Sequence, residues 1–394
     1  MTPSARLQAA IEIVDDVVSA ARSGGAAADT LIARFFKARR YAGSKDRRAV
    51  RGLAYDAIRR AGEPPASGRA ALIGLAEDQP ALKALFDGSP HGPAPIGVDE
   101  RGAPKGVAPA WLVEKLARVL APGEMAALLE RAPLDLRVNR LKADRAAVAR
   151  LFPGAEPGRL SPDALRLPEG SMVETSAAFA DGLVEVQDEG SQLIALACRA
   201  RPGMTVVDLC AGAGGKTLAL AAMMEDEGRL IACDVDRARL SRLNPRAERA
   251  GARAIETRLL DGGREAAALA DLMGQADVVL VDAPCSGSGT WRRNPEARWR
   301  LTPDRLQRLG AMQAHVLALG TALVRPGGRL VYAVCSLLEE EGPAPVGAFL
   351  VDHPDWSVDA APVEAGRASG PGRALSPAAD GTDGFFIAAL ERPC

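Results

Sequence analysis

From about residue 183 to the end, the chain alternates short apolar runs with longer stretches of helical hydrophobic spacing. The apolar runs are rich in β-branched residues, as expected of strands that are buried on both faces of a parallel sheet. This alternation predicts an α/β fold with a doubly wound, Rossmann-like parallel sheet. The predicted strands are 205–209, 229–233, 277–281, 329–334 and 384–390, and the predicted helices lie near 216–226, 236–250 and 303–324.

The N-terminal region follows a different pattern. Leu7, Ile11, Val14 and Val18 recur at helical spacing, and two further helical patterns follow before about residue 70. A loose stretch rich in Gly and Pro at 88–109 indicates a linker. We therefore predict four parts, which are a helical domain at 1–75, a linker at 76–109, a small α+β subdomain at 110–180 and the sheet domain at 181–394.

Positive charge is concentrated in one segment of the helical region. Residues 37–60 contain nine Lys or Arg and two Asp, a net charge of +7, whereas the 394-residue chain has a net charge of −1. An RNA backbone is the natural partner of such a segment, with Arg47, Arg48 and Arg51 as candidate contacts. A solvated helix face is the alternative. Arg137, on the polar face of an alternating strand pattern at 134–141, is a further RNA-binding candidate.

Composition and the spacing of Cys and His argue against a metalloprotein, a secreted disulfide-rich protein and a membrane protein. The six Cys form no CxxC pair and the three His are well separated, so we expect no metal site. Scattered thiols favour a reducing cytoplasm. The first apolar stretch contains acidic residues, and no run reaches the length of a membrane span, so we expect neither a signal peptide nor a membrane segment.

The loop 208–217, DLCAGAGGKT, follows the first predicted strand and precedes a helix. This arrangement holds nucleotide-like ligands. A P-loop would need a glycine where Cys210 stands, and a dinucleotide fingerprint would need one at Thr217, so each fails at one position. An S-adenosylmethionine loop needs only close backbone approach and an acid after the next strand. Asp234 supplies that acid, although it could instead cap the following helix.

Two cysteines follow predicted strands of the same sheet. Cys285 lies in the loop 282–289, DAPCSGSG, and Cys335 follows the strand 329–334. Ligands bind at the carboxyl ends of such strands. A thiol there can add to C6 of a pyrimidine and make C5 nucleophilic, and Asp282 can grip a polar ring. A turn with buried cysteines is the alternative. We interpret Cys198, Cys210 and Cys233 as packing residues.

These motifs together resemble the Sun/RsmB-type (NSUN-like) RNA 5-methylcytosine methyltransferases. The matching segments run in the family's order from about 183 to 394, and they are 186–193, 208–217, 282–299, 334–342 and 383–386. The segment 37–60 is similar to the NusB-like domain of some bacterial members, and 133–142 to the start of the family's small RNA-binding subdomain. The chain departs from the family pattern at Ala213, Val334 and Gly342, where Pro, Thr and Asn are usual.

The resemblance implies roles for individual residues. Cys335 would be the nucleophile, Cys285 the thiol needed for product release, and Asp282 the group that faces the cytosine. Asp234 would bind the ribose of S-adenosylmethionine and Asp261 the adenine edge. The cofactor's methionine part would be held by Cys210, Ala211, Gly212, Ala213, Gly214, Gly215 and Lys216.

We also expect Arg292, Arg293, Arg298 and Trp299 to shape an RNA cleft, because arginine binds phosphate and tryptophan stacks on bases. A packed Trp with surface arginines is the alternative.

The resulting hypothesis is a monomeric, cytoplasmic RNA cytosine-C5 methyltransferase that uses S-adenosylmethionine and acts on 16S ribosomal RNA, with transfer RNA as the alternative substrate. An NTPase and a catalytically inactive RNA-binding assembly factor remain alternatives. Phosphate-dependent binding to the loop 208–217 would favour the first, and absence of methyl transfer the second.

Overall fold

The computed structural model describes residues 1–121 and 123–394. It divides into two compact units. The first comprises Met1–Arg131 and Thr290–Pro303, and the second comprises Ala132–Gly289 and Asp304–Cys394. These two units do not test the four-part division inferred from the sequence, which stays a prediction.

The first unit is helical. α1 begins after Thr2, whose hydroxyl accepts the Ala5 amide, and ends at Gly24 with a left-handed φ of +73°. All four residues of the predicted apolar stripe, Leu7, Ile11, Val14 and Val18, are buried. The helices are α1 Pro3–Ser23, α2 Ala28–Ala38, α3 Ser44–Arg60, α4 Gly68–Asp78, α5 Ala110–Leu116 and α6 Glu124–Ala127, with 3-10 turns at Pro80–Leu85 and Pro295–Arg300.

The segment 290–303 packs into this helical unit although it lies far from it in sequence. The Glu296 carboxylate accepts the Ala28 amide at the start of α2 at 2.9 Å. The Arg298 guanidinium is fully buried and donates to the carbonyls of Ile58 at 2.6 Å and Ala61 at 2.8 Å, at the end of α3. The Trp299 indole donates to the Ala61 carbonyl at 3.1 Å. The segment therefore satisfies backbone groups that helix ends leave without partners.

These positions correct part of the predicted RNA cleft. Arg298, Trp299 and Arg292 are 0%, 5% and 5% exposed, so they lie in the interior of the unit and do not present a surface to RNA. Burial lowers the pKa of Arg298 to about 9. Packing of the Trp, the alternative interpretation, is the arrangement that the structure has. Arg293 is half-buried, and its RNA contact stays a prediction.

The second unit begins with a small antiparallel sheet in the order β2-β3-β1-β4. Leu136, Leu165 and Val184 pack in its apolar core. Its elements are β1 Leu134–Val138, α7 Arg145–Ala149, β2 Glu156–Pro157, β3 Ala164–Leu167, α8 Ala177–Ala180 and β4 Val184–Val186.

A nine-stranded sheet follows, in the order β11-β12-β13-β9-β8-β5-β6-β7, with β10 paired to β13. The strands are β5 Thr205–Asp208, β6 Arg229–Asp234, β7 Ile255–Leu259, β8 Ala276–Asp282, β9 Val324–Val334, β10 Ser357–Val358, β11 Arg367–Ser369, β12 Gly372–Leu375 and β13 Phe385–Glu391. The helices are α9 Glu189–Ala197, α10 Gly215–Met223, α11 Arg237–Leu240, α12 Leu243–Ala250, α13 Glu265–Ala268, α14 Pro303–Leu323, α15 Pro343–Asp352 and α16 Pro377–Asp380, with 3-10 turns at Ala270–Leu272 and Ser288–Thr290.

Both faces of this sheet are buried. Val206 and Leu280 pack with α9 and α10 on one face, whereas Val207 and Val281 pack with α14 on the other. This explains why the strands are continuous apolar runs, and it confirms the predicted strands and the α/β class.

The sheet is mixed, because β13 pairs antiparallel with β9, whereas the four strands that predicted a parallel sheet, β5, β6, β8 and β9, pair in parallel as expected. One sequence prediction needs correction. The helix expected at 236–250 is two helices, α11 and α12. Pro245 lies in the first turn of α12 and has no amide hydrogen to donate to the Ser241 carbonyl, so one continuous helix is disfavoured.

Within the described residues, no helix is both long enough and apolar enough to cross a bilayer.

We expect Arg298→Met to lower the free energy of unfolding by about 1–3 kcal/mol, because buried carbonyls at the end of α3 lose their donor. The measurement is urea unfolding of the full chain followed by tryptophan fluorescence. Arg48→Met, on the exposed face of α3, is the matched control and should change little. Equal stability of the two variants would show that the Arg298 contacts contribute nothing.

Candidate functional site

The candidate site lies where the parallel strands end. β6, β5, β8 and β9 are neighbours, and Asp208 pairs with Ala232 and Leu280 while Asp282 pairs with Ala333. The loops that follow these strands therefore emerge at the same edge of the sheet. This edge is where open α/β sheets bind ligands.

The loop after β5 is shaped by two glycines with left-handed φ values, Gly212 at +57° and Gly214 at +84°. A Cβ atom on Gly214 would overlap the Leu243 side chain, so only glycine fits there. The Gly212 amide donates to Asp234 Oδ2 at 2.7 Å, and the Asp236 amide donates to Asp234 Oδ1 at 2.7 Å. The cap of α11 is Asp236, so Asp234 is not a helix cap and instead joins the end of β6 to the glycine loop.

Two arginines donate hydrogen bonds to the backbone carbonyls of this loop. Arg137 of β1 donates to the Gly215 carbonyl at 2.6 Å and to Gln187 Oε1 at 2.5 Å. Arg246 of α12 donates to the Ala213 carbonyl at 2.5 Å and forms an ion pair with Glu185 at 2.8 Å. The loop is thereby fixed at two carbonyls by charged donors.

Arg137 was therefore placed wrongly by the sequence pattern. It is 4% exposed, and burial lowers its pKa to about 10. A side chain that is buried beneath the glycine loop does not offer its guanidinium to RNA. The alternating pattern of β1 correctly predicted the strand but could not reveal that its polar face is covered.

Beneath the loop lies a buried carboxyl group. Asp208 accepts the Thr217 hydroxyl at 2.6 Å, and burial raises the pKa of Asp208 to about 7. Lys216 Nζ lies 2.6 Å from Asp282 Oδ2. Burial opposes the charged form of Lys216, but the Asp282 carboxylate outweighs it and raises the lysine pKa. The site therefore contains one ion pair that links the glycine loop to the loop after β8.

The thiols of Cys285 and Cys335 lie in contact with each other. Cys285 Sγ and Cys335 Sγ are 3.3 Å apart, and both cysteines are free. The hydrogen bond to Cys335, burial and the nearby Glu341 carboxylate raise the pKa of Cys285. A raised pKa favours the protonated form of the Cys285 thiol.

The other cysteines have different surroundings. Burial raises the pKa of Cys233 to about 12, and it also raises the pKa values of Cys198 and Cys210. Cys394 is exposed. Within residues 1–121 and 123–394, no group of His, Cys, Asp and Glu side chains could hold a metal ion.

The remaining predicted residues lie at the surface. Asp261 is exposed in the loop after β7. Arg47, Arg48 and Arg51 are exposed on α3, where Arg51 forms an ion pair with Asp29 at 2.7 Å. Their binding roles stay predictions.

Sequence reasoning missed the side chains that support the site. Gln187 and Glu341 lie within the matching segments 186–193 and 334–342 but were given no role, and Arg246 lies outside all the matching segments. Glu341 is 1% exposed and belongs to a run of three glutamates, of which Glu339 is exposed. Its place in the matching segment 334–342, close to Cys335 in sequence, is the signal that could have drawn attention to it.

Comparisons with known proteins agree with the motif-based resemblance. The family model for 16S rRNA methyltransferase RsmB/F matches residues 195–391. The ribosomal RNA small subunit methyltransferase B of Sodalis glossinidius is 33% identical over 331 residues, which cover 80% of this chain and 74% of that protein. The protein of the same name from Salmonella arizonae is 37% identical over 290 residues, covering 72% of this chain and 66% of that protein.

Solved structures support the same relationship. The protein PH0851 has a TM-score of 0.77 and 26% identity, covering 100% of this chain and 99% of its own. A methyltransferase homolog from Pyrococcus horikoshii has a TM-score of 0.63 and 25% identity, covering 72% of this chain and 94% of its own. The predicted Sun/RsmB-type family is confirmed, whereas the NusB-like assignment of the N-terminal region stays a prediction. The chain belongs to the 16S rRNA methyltransferase RsmB/F family.

Proposed function

We propose that this chain transfers a methyl group from S-adenosylmethionine to C5 of a cytosine in 16S ribosomal RNA, through a transient bond between Cys335 and C6. The observation that carries the proposal is the pair of thiols at the ends of neighbouring strands, with 3.3 Å between Cys285 Sγ and Cys335 Sγ. Methylation of an amino group would need no thiol, whereas C5 of a pyrimidine becomes reactive only after a nucleophile adds to C6. The names of the relatives supply the ribosomal substrate.

The glycine loop fits S-adenosylmethionine. Gly212 and Gly214 give the loop its two left-handed turns, and a ligand without phosphates does not need the wrapped amides of a P-loop. Each carboxylate oxygen of Asp234 accepts one backbone amide and retains a lone pair for a ribose hydroxyl. When bound, S-adenosylmethionine supplies an electrophilic methyl group on a sulfonium.

The first step is addition. The Cys335 thiolate forms a bond to C6, and the electron pair of the C5–C6 double bond shifts through the ring toward N3. Asp282 Oδ2 accepts a hydrogen bond from Lys216 Nζ, with 2.6 Å between the two atoms, and we propose that Asp282 holds or passes a proton at that ring nitrogen. C5 is then an enamine carbon that can accept the methyl group.

The second step is release. The proton on C5 passes to a base, the C5–C6 double bond re-forms, and the bond from C6 to sulfur breaks and releases the Cys335 thiolate. We propose that Cys285, which lies beside Cys335, takes up the C5 proton after it has released its own proton to solvent, since burial and its neighbours raise its pKa and make the thiolate a strong base once it forms. The target base must be unstacked for either thiol to reach it.

We expect substitutions of the two cysteines to have different effects on the reaction. Cys335→Ala should abolish methylation without loss of cofactor binding, because addition precedes every later step. Cys285→Ala should accumulate a covalent RNA–protein complex, because only release is blocked. Denaturing gels after incubation with substrate RNA and S-adenosylmethionine measure both outcomes.

Cys394→Ala, at an exposed thiol, is the control for these variants and should methylate normally. A covalent complex that forms with Cys335→Ala and is absent with Cys285→Ala would exchange the two roles, placing the nucleophile in the loop after β8.

Arg137 should contribute to cofactor affinity although it lies behind the loop. We expect Arg137→Met to weaken S-adenosylmethionine binding by about 1 kcal/mol or more, because the Gly215 carbonyl loses a charged donor. Isothermal titration calorimetry measures the change. Arg140→Met, three residues further on and largely exposed, is the control. Unchanged affinity for Arg137→Met would show that the loop holds its shape without this contact.

We also propose that the exposed arginines of α3 bind RNA phosphates. Arg47, Arg48 and Arg51 replaced together by Glu should weaken RNA binding and flatten its salt dependence, since fewer counterions are released. The same charge change at three exposed arginines of the second unit, Arg201, Arg253 and Arg308, is the control. If both triple variants have the salt slope of the unsubstituted protein, the face of α3 is only solvated.

A further inference from the structure

A buried carboxylate lies behind the two thiols. Glu341, between β9 and α15, is 1% exposed. It accepts the Ser286 amide at 2.8 Å, the Ser336 hydroxyl at 2.5 Å and the Gln313 amide group at 3.0 Å, and the Ser286 hydroxyl also donates to it. In the part of the chain that the structure describes, Glu341 has no ion-pair partner.

Two of the three residues that donate to the Glu341 carboxylate directly follow the thiols. Ser286 comes directly after Cys285, and Ser336 comes directly after Cys335. One carboxylate therefore bridges the two cysteine loops at the positions that fix where each thiol lies. Charge-assisted hydrogen bonds of this kind are shorter and stronger than neutral ones.

Glu341 is itself held from both sides. The Tyr332 hydroxyl, from β9, donates to the Glu341 backbone carbonyl at 2.7 Å. Gln313 of α14 donates to the Glu341 carboxylate and also to the Pro284 carbonyl at 3.0 Å, immediately before Cys285. Tyr332 and Gln313 thus hold Glu341 in place, and movement of its carboxylate would move both cysteine loops.

A carboxylate without a cation is costly in a protein interior. Hydrogen bonds only offset the hydration that such a charge loses on burial, so stability alone is a weak reason for its presence. The need to hold two backbone segments in a fixed relative position is a better explanation for a buried carboxylate with all these hydrogen bonds.

We propose that Glu341 is a positioning residue that sets the separation of the Cys285 and Cys335 thiols. Its importance for methyl transfer rests on the proposed function, but its effect on thiol geometry does not. With the bridge in place, the adding thiol and the releasing thiol meet the same cytosine ring. Without it, the two loops can drift apart independently.

The test compares Glu341→Gln with Glu339→Gln, an exposed residue of the same glutamate run. Each protein, without RNA or cofactor, is treated with diamide, which takes two electrons and two protons from a pair of thiols as their S–S bond forms. Mass spectrometry of the linked peptide gives the rate of Cys285–Cys335 closure. Thermal unfolding confirms that each variant is folded.

We expect Glu341→Gln to slow closure by about tenfold, because a disulfide forms only within a narrow range of separations and angles. We expect it to slow methyl transfer by about 100-fold, since a displacement of about 1 Å has that effect on a reacting group. Glu339→Gln should close and methylate at the rates of the unsubstituted protein.

Ser336→Ala is a second variant, in case Glu341→Gln does not fold, and it should slow closure in the same direction by a smaller factor. Closure and methylation at the unsubstituted rates in either folded variant would overturn the inference. That result would leave the proposed function standing, provided that Cys335→Ala abolishes methylation. Slow closure with normal methylation would also overturn the catalytic part, because the thiol separation would then not matter for turnover.

Discussion

The parallel pairing of β8 with β9 is the constraint on which the site depends. Asp282 lies opposite Ala333 in this ladder, so the residues that follow the two strands leave the sheet side by side. Cys285 and Cys335, 50 positions apart in sequence, come within 3.3 Å of each other. A shift in register would carry the thiols apart and separate Asp282 from Lys216.

The small antiparallel sheet has a second role besides the RNA binding expected of it. Arg137 of β1 reaches the Gly215 carbonyl, and Glu185 of β4 holds Arg246, which reaches the Ala213 carbonyl. The glycine loop is therefore supported by two arginines that donate to its carbonyls. If the loop binds the cofactor as proposed, a change in this sheet would affect cofactor binding through these two hydrogen bonds.

The sequence was informative where local pattern and chemistry coincide. Buried strands are continuous apolar runs, and the motif residues lie at their ends, so the fold class, the glycine loop and the pair of thiols followed from residues alone. Side-chain environment was less predictable. Arg137 and Arg298 occur among other polar residues and look like surface arginines, yet both are buried as donors to backbone carbonyls.

The antiparallel β13 shows another limit. Its residues, 385–391, have the apolar pattern of any buried strand, which gives no information about direction. Glu341 was equally hidden, because three consecutive glutamates give no sign of which one is buried. Direction and burial are set by contacts between distant segments, and these are absent from a local pattern.

The central claim is that Cys335, and not Cys285, bonds to the RNA base. Substrate RNA that carries 5-fluorocytosine tests it, because fluorine at C5 leaves no proton to lose after methylation and the adduct cannot be released. The unsubstituted protein is incubated with this RNA and S-adenosylmethionine, digested and analysed by mass spectrometry. The account predicts the nucleotide on the peptide that contains Cys335. A nucleotide on the peptide that contains Cys285 would contradict it.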